Sequence, residues 1–159
     1  MSDPVPALCA ALALACSSAP APATSAEPRP AHPVAASAGA TWDAVIAALP
    51  ARGITIRTTD RAGGLVTTDE LPIDLREADR NGWADCGRQF GAALAPNRGS
   101  FTIIVRGDSA RSTVQAAAVW RAVPPGNTMA QPIACTSRGA WEAALEQDVK
   151  ARAEAAAGR

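Results

Sequence analysis

Twice in this chain an alternating apolar and polar run meets a turn rich in Gly and Asp and comes back. Ile54-Thr55-Ile56-Arg57-Thr58-Thr59 runs into Asp60-Arg61-Ala62-Gly63-Gly64 and returns as Leu65-Val66-Thr67-Thr68. Phe101, Ile103 and Val105 alternate with Thr102, Ile104 and Arg106, and Gly107-Asp108-Ser109 turns the chain. Residues 113–123 then return with Val114, Ala116, Ala118 and Trp120 on one face. A period of two sets successive side chains on opposite faces of a sheet, so each run predicts a half-buried strand and each pair a β-hairpin.

An apolar sheet face has to be covered, and the two ends of the folded region supply candidates. Trp42, Val45, Ile46 and Leu49 fall at i, i+3, i+4 and i+7, with Thr41 as the predicted N-cap and Pro50 and Gly53 as the stop. Residues 139–157 are rich in Ala, Glu and Lys and place Trp141, Leu145 and Val149 at helical spacing, with a last two turns expected to fray. The order α-β-β-β-β-α predicts an α+β domain in which a four-stranded antiparallel sheet of two hairpins carries both terminal helices on one face. Residues 71–97 show no clear period. Within them residues 75–81 read as one or two helical turns and residues 83–87 as an ordered loop. Pro124-Pro125-Gly126-Asn127 breaks the second return strand, and residues 132–138 read as a loop before the last helix.

Composition removes whole classes of function. At 159 residues the chain is long enough for one ordinary domain. Its 15 Lys and Arg balance 15 Asp and Glu, so no electrostatic footprint for nucleic acid or anionic lipid is expected. The one histidine, His32, lies in a Pro/Ala-rich stretch and reads as a solvated linker residue, which argues against Ser-His-Asp, Cys-His and histidine-zinc chemistry. The four cysteines include no C-x-x-C pair, so neither a zinc ribbon nor a thioredoxin-type motif is expected. No catalytic residue, metal or cofactor is assigned.

The first forty residues read as an address and a tether. Residues 5–15 (VPALCAALALA) are an apolar run too short for a membrane-spanning helix but suited to the core of a secretory signal. The run ends at Leu12-Ala13-Leu14-Ala15-Cys16, which resembles the lipobox of bacterial lipoproteins. That resemblance implies a signal peptide over residues 1–15, cleavage after Ala15 and acylation of the Cys16 thiol, a membrane anchor of three acyl chains. Cys9 follows the bulky Leu8 and fits the cleavage site less well. The chain departs from the usual pattern in Ala13 and in Asp3 without a nearby Lys or Arg, which points to a start upstream. Ser17 and Ser18 follow Cys16 with no aspartate, which by analogy with enterobacterial sorting implies the outer membrane, facing the periplasm. Residues 17–40 hold five prolines, nine alanines and four serines with almost no bulky apolar side chain. Such a segment cannot bury enough surface to offset its ordering entropy, so residues 16–40 read as a disordered tether and residues 41–157 as the domain. In polyproline II, at ~3.1 Å per residue, the tether would reach about 70 Å.

An oxidising compartment bears on the two remaining cysteines. Cys86 and Cys135 are expected to form a structural disulfide, closing a loop that the chain-entropy model values at about 4 kcal/mol. The rival reading, a redox-active pair, lacks the short spacing and adjacent basic group usual in such sites. Asp69, Glu70, Asp74, Glu77 and Asp79 form one acidic cluster, but they lack calcium-loop spacing and Arg76 and Arg80 sit among them, so they read as a solvated face. Core packing is the default for Trp42, Trp83, Trp120 and Trp141. Trp83, in the irregular stretch, and Trp120 are the candidate binding surface.

One further resemblance rests on Trp42-Asp43-Ala44-Val45 through Leu49, Gly53-Ile54, Asp60-Arg61 and Gly63. This pattern resembles the opening of the helix-grip domains in the C subunit of the outer-membrane β-barrel assembly machinery and related lipoproteins. Ala84-Asp85-Cys86-Gly87 and Cys135-Thr136-Ser137-Arg138-Gly139 are similar to segments of small bacterial lipoproteins. The likeness spans Trp42 to about Leu145. It implies a helix-grip fold and a non-enzymatic envelope protein that binds a protein partner as an assembly accessory. That subunit has two such domains and a long N-terminal clasp, whereas this chain has one domain and a Pro/Ala spacer. A small-molecule or lipid carrier is the alternative, and a hydrolase built on Asp and Glu has no carboxylate pair with supporting spacing.

Overall fold

The computed structural model describes residues 29–89, 92–123 and 131–158. In chain order the elements are β1 (His32–Val34), α1 (Ala38–Ala51), β2 (Ile56–Asp60), β3 (Leu65–Thr68), β4 (Leu71–Pro72), α2 (Leu75–Arg80) and β5 (Ala84–Asp85). They continue with β6 (Arg88–Gln89), β7 (Ala92–Ala93), β8 (Arg98–Gly107), β9 (Ser112–Ala122), β10 (Ile133–Ser137) and α3 (Ala140–Ala157).

Both hairpins form. β2 pairs antiparallel with β3, and β8 pairs with β9 in unbroken register from Arg98↔Arg121 to Gly107↔Ser112. β3 joins them through Val66↔Ile103. Gly64, at φ 65°, makes the junction close: a Cβ there would lie 2.0 Å from the Val105 carbonyl oxygen, so a side chain is excluded.

The expected four-stranded sheet with flanking helices is nevertheless incorrect. The sheet has eight strands in the order β2-β3-β8-β9-β10-β5, with β1 also on β9 and β4 also on β8, and it curls as an open half-barrel. The cause is edge length. β9 runs for 11 residues and presents an outer row of backbone groups that need partners. β1 takes one end of that edge through His32↔Val114, and β10 takes the other through Ala134↔Arg121. In the gap between them Glu146 of α3, 1 % exposed, accepts the Ala116 N–H at 2.8 Å and pairs with Arg29 at 3.0 Å. A side chain does there what a strand would do elsewhere.

Four local expectations change with it. His32 is a strand residue, and Val34 and Ala36 are core, so the packed unit begins ahead of Thr41. Helix α1 starts at Ala38 with Ser37 as its N-cap, the Ser37 hydroxyl accepting from the Ala40 N–H. Thr41 is instead fully buried. The Ser112 hydroxyl donates its one proton to the Ala36 carbonyl, so Thr41 donates to Ser112 across 2.7 Å. Residues 133–137, expected as loop, form β10. The last helix stays regular to Ala157 because Ala153 is buried. The Pro124-Pro125-Gly126-Asn127 break lies outside the described residues.

Helices α1 and α3 pack on each other and on one sheet face. Trp42, Val45 and Leu49 from α1 and Trp141, Leu145 and Val149 from α3 meet Phe101, Ile103, Val105, Val114, Ala116 and Trp120 from the sheet. The opposite face carries Thr102, Ile104, Arg106 and the exposed Val119.

Candidate functional site

A cleft of about 630 Å³ opens where this helix-sheet layer meets residues 71–83. Its floor is aromatic. Phe101 stacks on Trp141 with centroids 3.7 Å apart and planes 12° from parallel. Trp120 meets Phe101 and Trp141 edge to face, at 5.4 and 5.9 Å. Trp83 stacks on Trp120 at 5.6 Å and 24°. One wall is apolar, formed by Leu71, Pro72 and Ile73 with Ile54 behind them.

Trp83 is positioned from both sides. Its N–H donates to the Ala78 carbonyl at the end of α2, and its carbonyl accepts from the Arg138 N–H just before α3. Next to it, β5 pairs with β10 through Thr136↔Asp85, and continuing that register sets Cys86 opposite Cys135. The two sulfurs are bonded at 2.05 Å, so the expected disulfide is present and ties the irregular segment to the sheet. Trp120 donates from Nε1 to the Ser137 hydroxyl at 3.3 Å, and Ser137 donates to the buried Glu142 carboxylate at 2.5 Å. The rings and the staple therefore share one frame.

The rim carries the charge. Asp74 N-caps α2, its Oδ1 accepting from the Arg76 and Glu77 N–H groups at 2.7 and 3.1 Å. Asp74, Glu77 and Asn81 line the cleft; Arg76 and Arg80 do not. The cation at the rim, Arg52, donates to Asp148 and to the Ala144 carbonyl, both at 3.3 Å. Burial acts to raise the Asp148 pKa, but Arg152 and Arg52 outweigh it and hold the carboxyl below its ordinary value. Away from the cleft, the Gly87 N–H and Arg138 lower the pKa of Asp85.

The sequence-predicted residues divide accordingly. Trp83 lines the cleft, half-buried. Trp120, at 1 % exposure, offers no surface; its large ring is what Trp83 packs against, and the binding-surface assignment is corrected for it. Cys16 and the signal segment lie outside the described residues. In the acidic cluster Asp69 pairs with Arg57 and Glu70 with Arg121, while Asp74 and Glu77 belong to the cleft. Sequence reasoning missed Arg52, Phe101, Trp141 and the Leu71-Pro72-Ile73 wall. The available signal was an apolar triplet directly before an N-cap aspartate, too short for a buried strand of its own. The lining therefore offers rings, an aliphatic wall, two carboxylates, one amide and the Arg52 guanidinium. No protein-family model matches this chain, and no curated protein matches it.

Proposed function

We propose that this chain is a lipid-anchored protein of the cell envelope that binds a protein partner at the outer membrane through the cleft beside Trp83, with no catalytic chemistry of its own. The anchor part of this reading rests on the Leu12-Ala13-Leu14-Ala15-Cys16 lipobox pattern and the Pro/Ala segment after it. The binding part rests on one observation: an aromatic and aliphatic cleft held on a frame of paired strands and a disulfide. Rigid aromatic anchors flanked by polar groups are what protein interfaces use for most of their binding energy. The disulfide agrees with an oxidising compartment. The assembly-accessory role is the part carried by resemblance to helix-grip lipoproteins.

The test is purification of the tagged chain from detergent-solubilised membranes, with Cys16→Ala as control and acyl labelling as a parallel readout. The expected outcome is an acylated chain that recovers β-barrel assembly subunits or another defined envelope protein, both lost in the control. An unacylated chain in the soluble fraction overturns the anchor. Recovery of an acylated chain alone, with a co-purified small molecule, favours the carrier reading, which the cleft volume would also accommodate.

A further inference from the structure

We infer that the partner presents a cationic peptide segment to the cleft, with a Lys or Arg side chain laid against Trp83 and an apolar neighbour against the Leu71-Pro72-Ile73 wall; this rests on the protein-binding reading above. Glu77 is exposed and its carboxylate has no partner among the described residues. Asp74 uses Oδ1 to cap α2, and its Oδ2 has no hydrogen-bond partner among the described residues. The rim's Arg52 is already engaged by Asp148 and the Ala144 carbonyl, so it neutralises neither acid. The unanswered charge of the cleft is negative.

The floor points the same way. One face of Trp83 stacks on Trp120, and the residue, partly exposed, lines the cleft. An indole face is the best aromatic partner for an ammonium or guanidinium group. A carboxylate rim over an indole face suits a cation with an aliphatic stem, which is what Lys and Arg side chains are. An acidic segment would meet two carboxylates in a lining whose one cation, Arg52, is already paired.

The oxidised full chain is titrated with three blocked peptides, alternating Lys and Leu, Ser and Leu, or Glu and Leu, while the indole N–H resonances are followed by NMR. Trp83 and Trp141 report on the cleft, and Trp42, which lies on α1 outside it, is the internal control. The lysine peptide is expected to shift Trp83 and Trp141 but not Trp42, and to bind on the order of tenfold more tightly than the serine peptide. Glu77→Gln, at an exposed position, should weaken it about two- to fivefold, and Trp83→Phe should retain part of the affinity that Trp83→Leu loses. Salt at about 0.5 M should remove most of the preference for the lysine peptide. Equal binding of all three peptides, or preference for the glutamate peptide, overturns the cationic assignment and leaves the protein-binding reading standing. No cleft shift with any of the three peptides overturns both.

Discussion

The β8–β9 hairpin and the segment from Leu71 to Gln89 hold their shapes by different means. β8 and β9 pair along ten rungs and bury one side chain in two, so backbone ladder and core burial reinforce each other at every step. The second region has strands of two residues, a helix of six, and a single fully covered aliphatic side chain on that helix, Ala78. It is held from outside, by the Cys86–Cys135 bond, by the Trp83–Trp120 stack and by two backbone bonds at Trp83. A region that cannot fill its own core leaves space where it meets one that can. The cleft lies along that seam.

Trp120 belongs to the hairpin yet supports the stapled region, so Trp120→Ala should give the largest effect, about 3–5 kcal/mol in denaturant unfolding. It should also accelerate amide exchange in both regions. Loss confined to the hairpin would mean that Trp83 does not depend on it.

Replacing both Cys86 and Cys135 by Ala should cost about 2–5 kcal/mol. Here the two regions should separate: residues 71–89 are expected to exchange faster while the central amides of β8 and β9 keep much of their protection. Uniform loss of protection would show that the two regions form one cooperative unit.

Glu146→Ala tests the hairpin's own edge. It leaves the Ala116 N–H and the Arg29 guanidinium without their acceptor, and about 1–3 kcal/mol is expected from melting curves. Glu146→Gln keeps an acceptor and should cost less.

The smallest effects come from acid. In the hairpin turn Asp108 accepts the Arg111 and Ala110 N–H groups, which lower its pKa; in the stapled region Asp85 is lowered by the Gly87 N–H and Arg138. A carboxylate with a lowered folded-state pKa stabilises the fold above its ordinary value, here 3.8, and loses that contribution as pH falls through the lowered one. Asp108→Asn should therefore flatten the acid limb of exchange near residues 107–112, and Asp85→Asn that near residues 84–88, each leaving the other unchanged. A crossed effect would show that the two turns are coupled.

How much could be read from the chain follows the same division. Alternation in residues 54–59 and 101–106, and the stripes of Trp42, Val45 and Leu49 and of Trp141, Leu145 and Val149, are local periodicities, and the strands and helices they predict are present. β1, β4 and β10 carry no such period. Their strand character comes from edges that β8 and β9 leave open, which no window of their own residues encodes. Ser37 displaced Thr41 as the cap for the same reason: Ser112, 71 positions away, gave Thr41 a buried partner. Of the cleft, Trp83 was visible as a large ring in an unpatterned stretch, whereas Phe101 and Trp141 looked like core and are core on one side and floor on the other.

By itself the sequence determined the hairpins, the two long helices and their apolar faces, because those depend on contacts a few residues apart. It also set the cysteine pair, for which the oxidised partner across β5 and β10 needed the fold. Tertiary structure alone decided the eight-stranded curl, the start of the packed unit ahead of Thr41, the burial of Trp120 and the cleft. Each of these depends on which backbone edges and ring faces remain uncovered once the periodic elements have paired, and that is a property of their assembly.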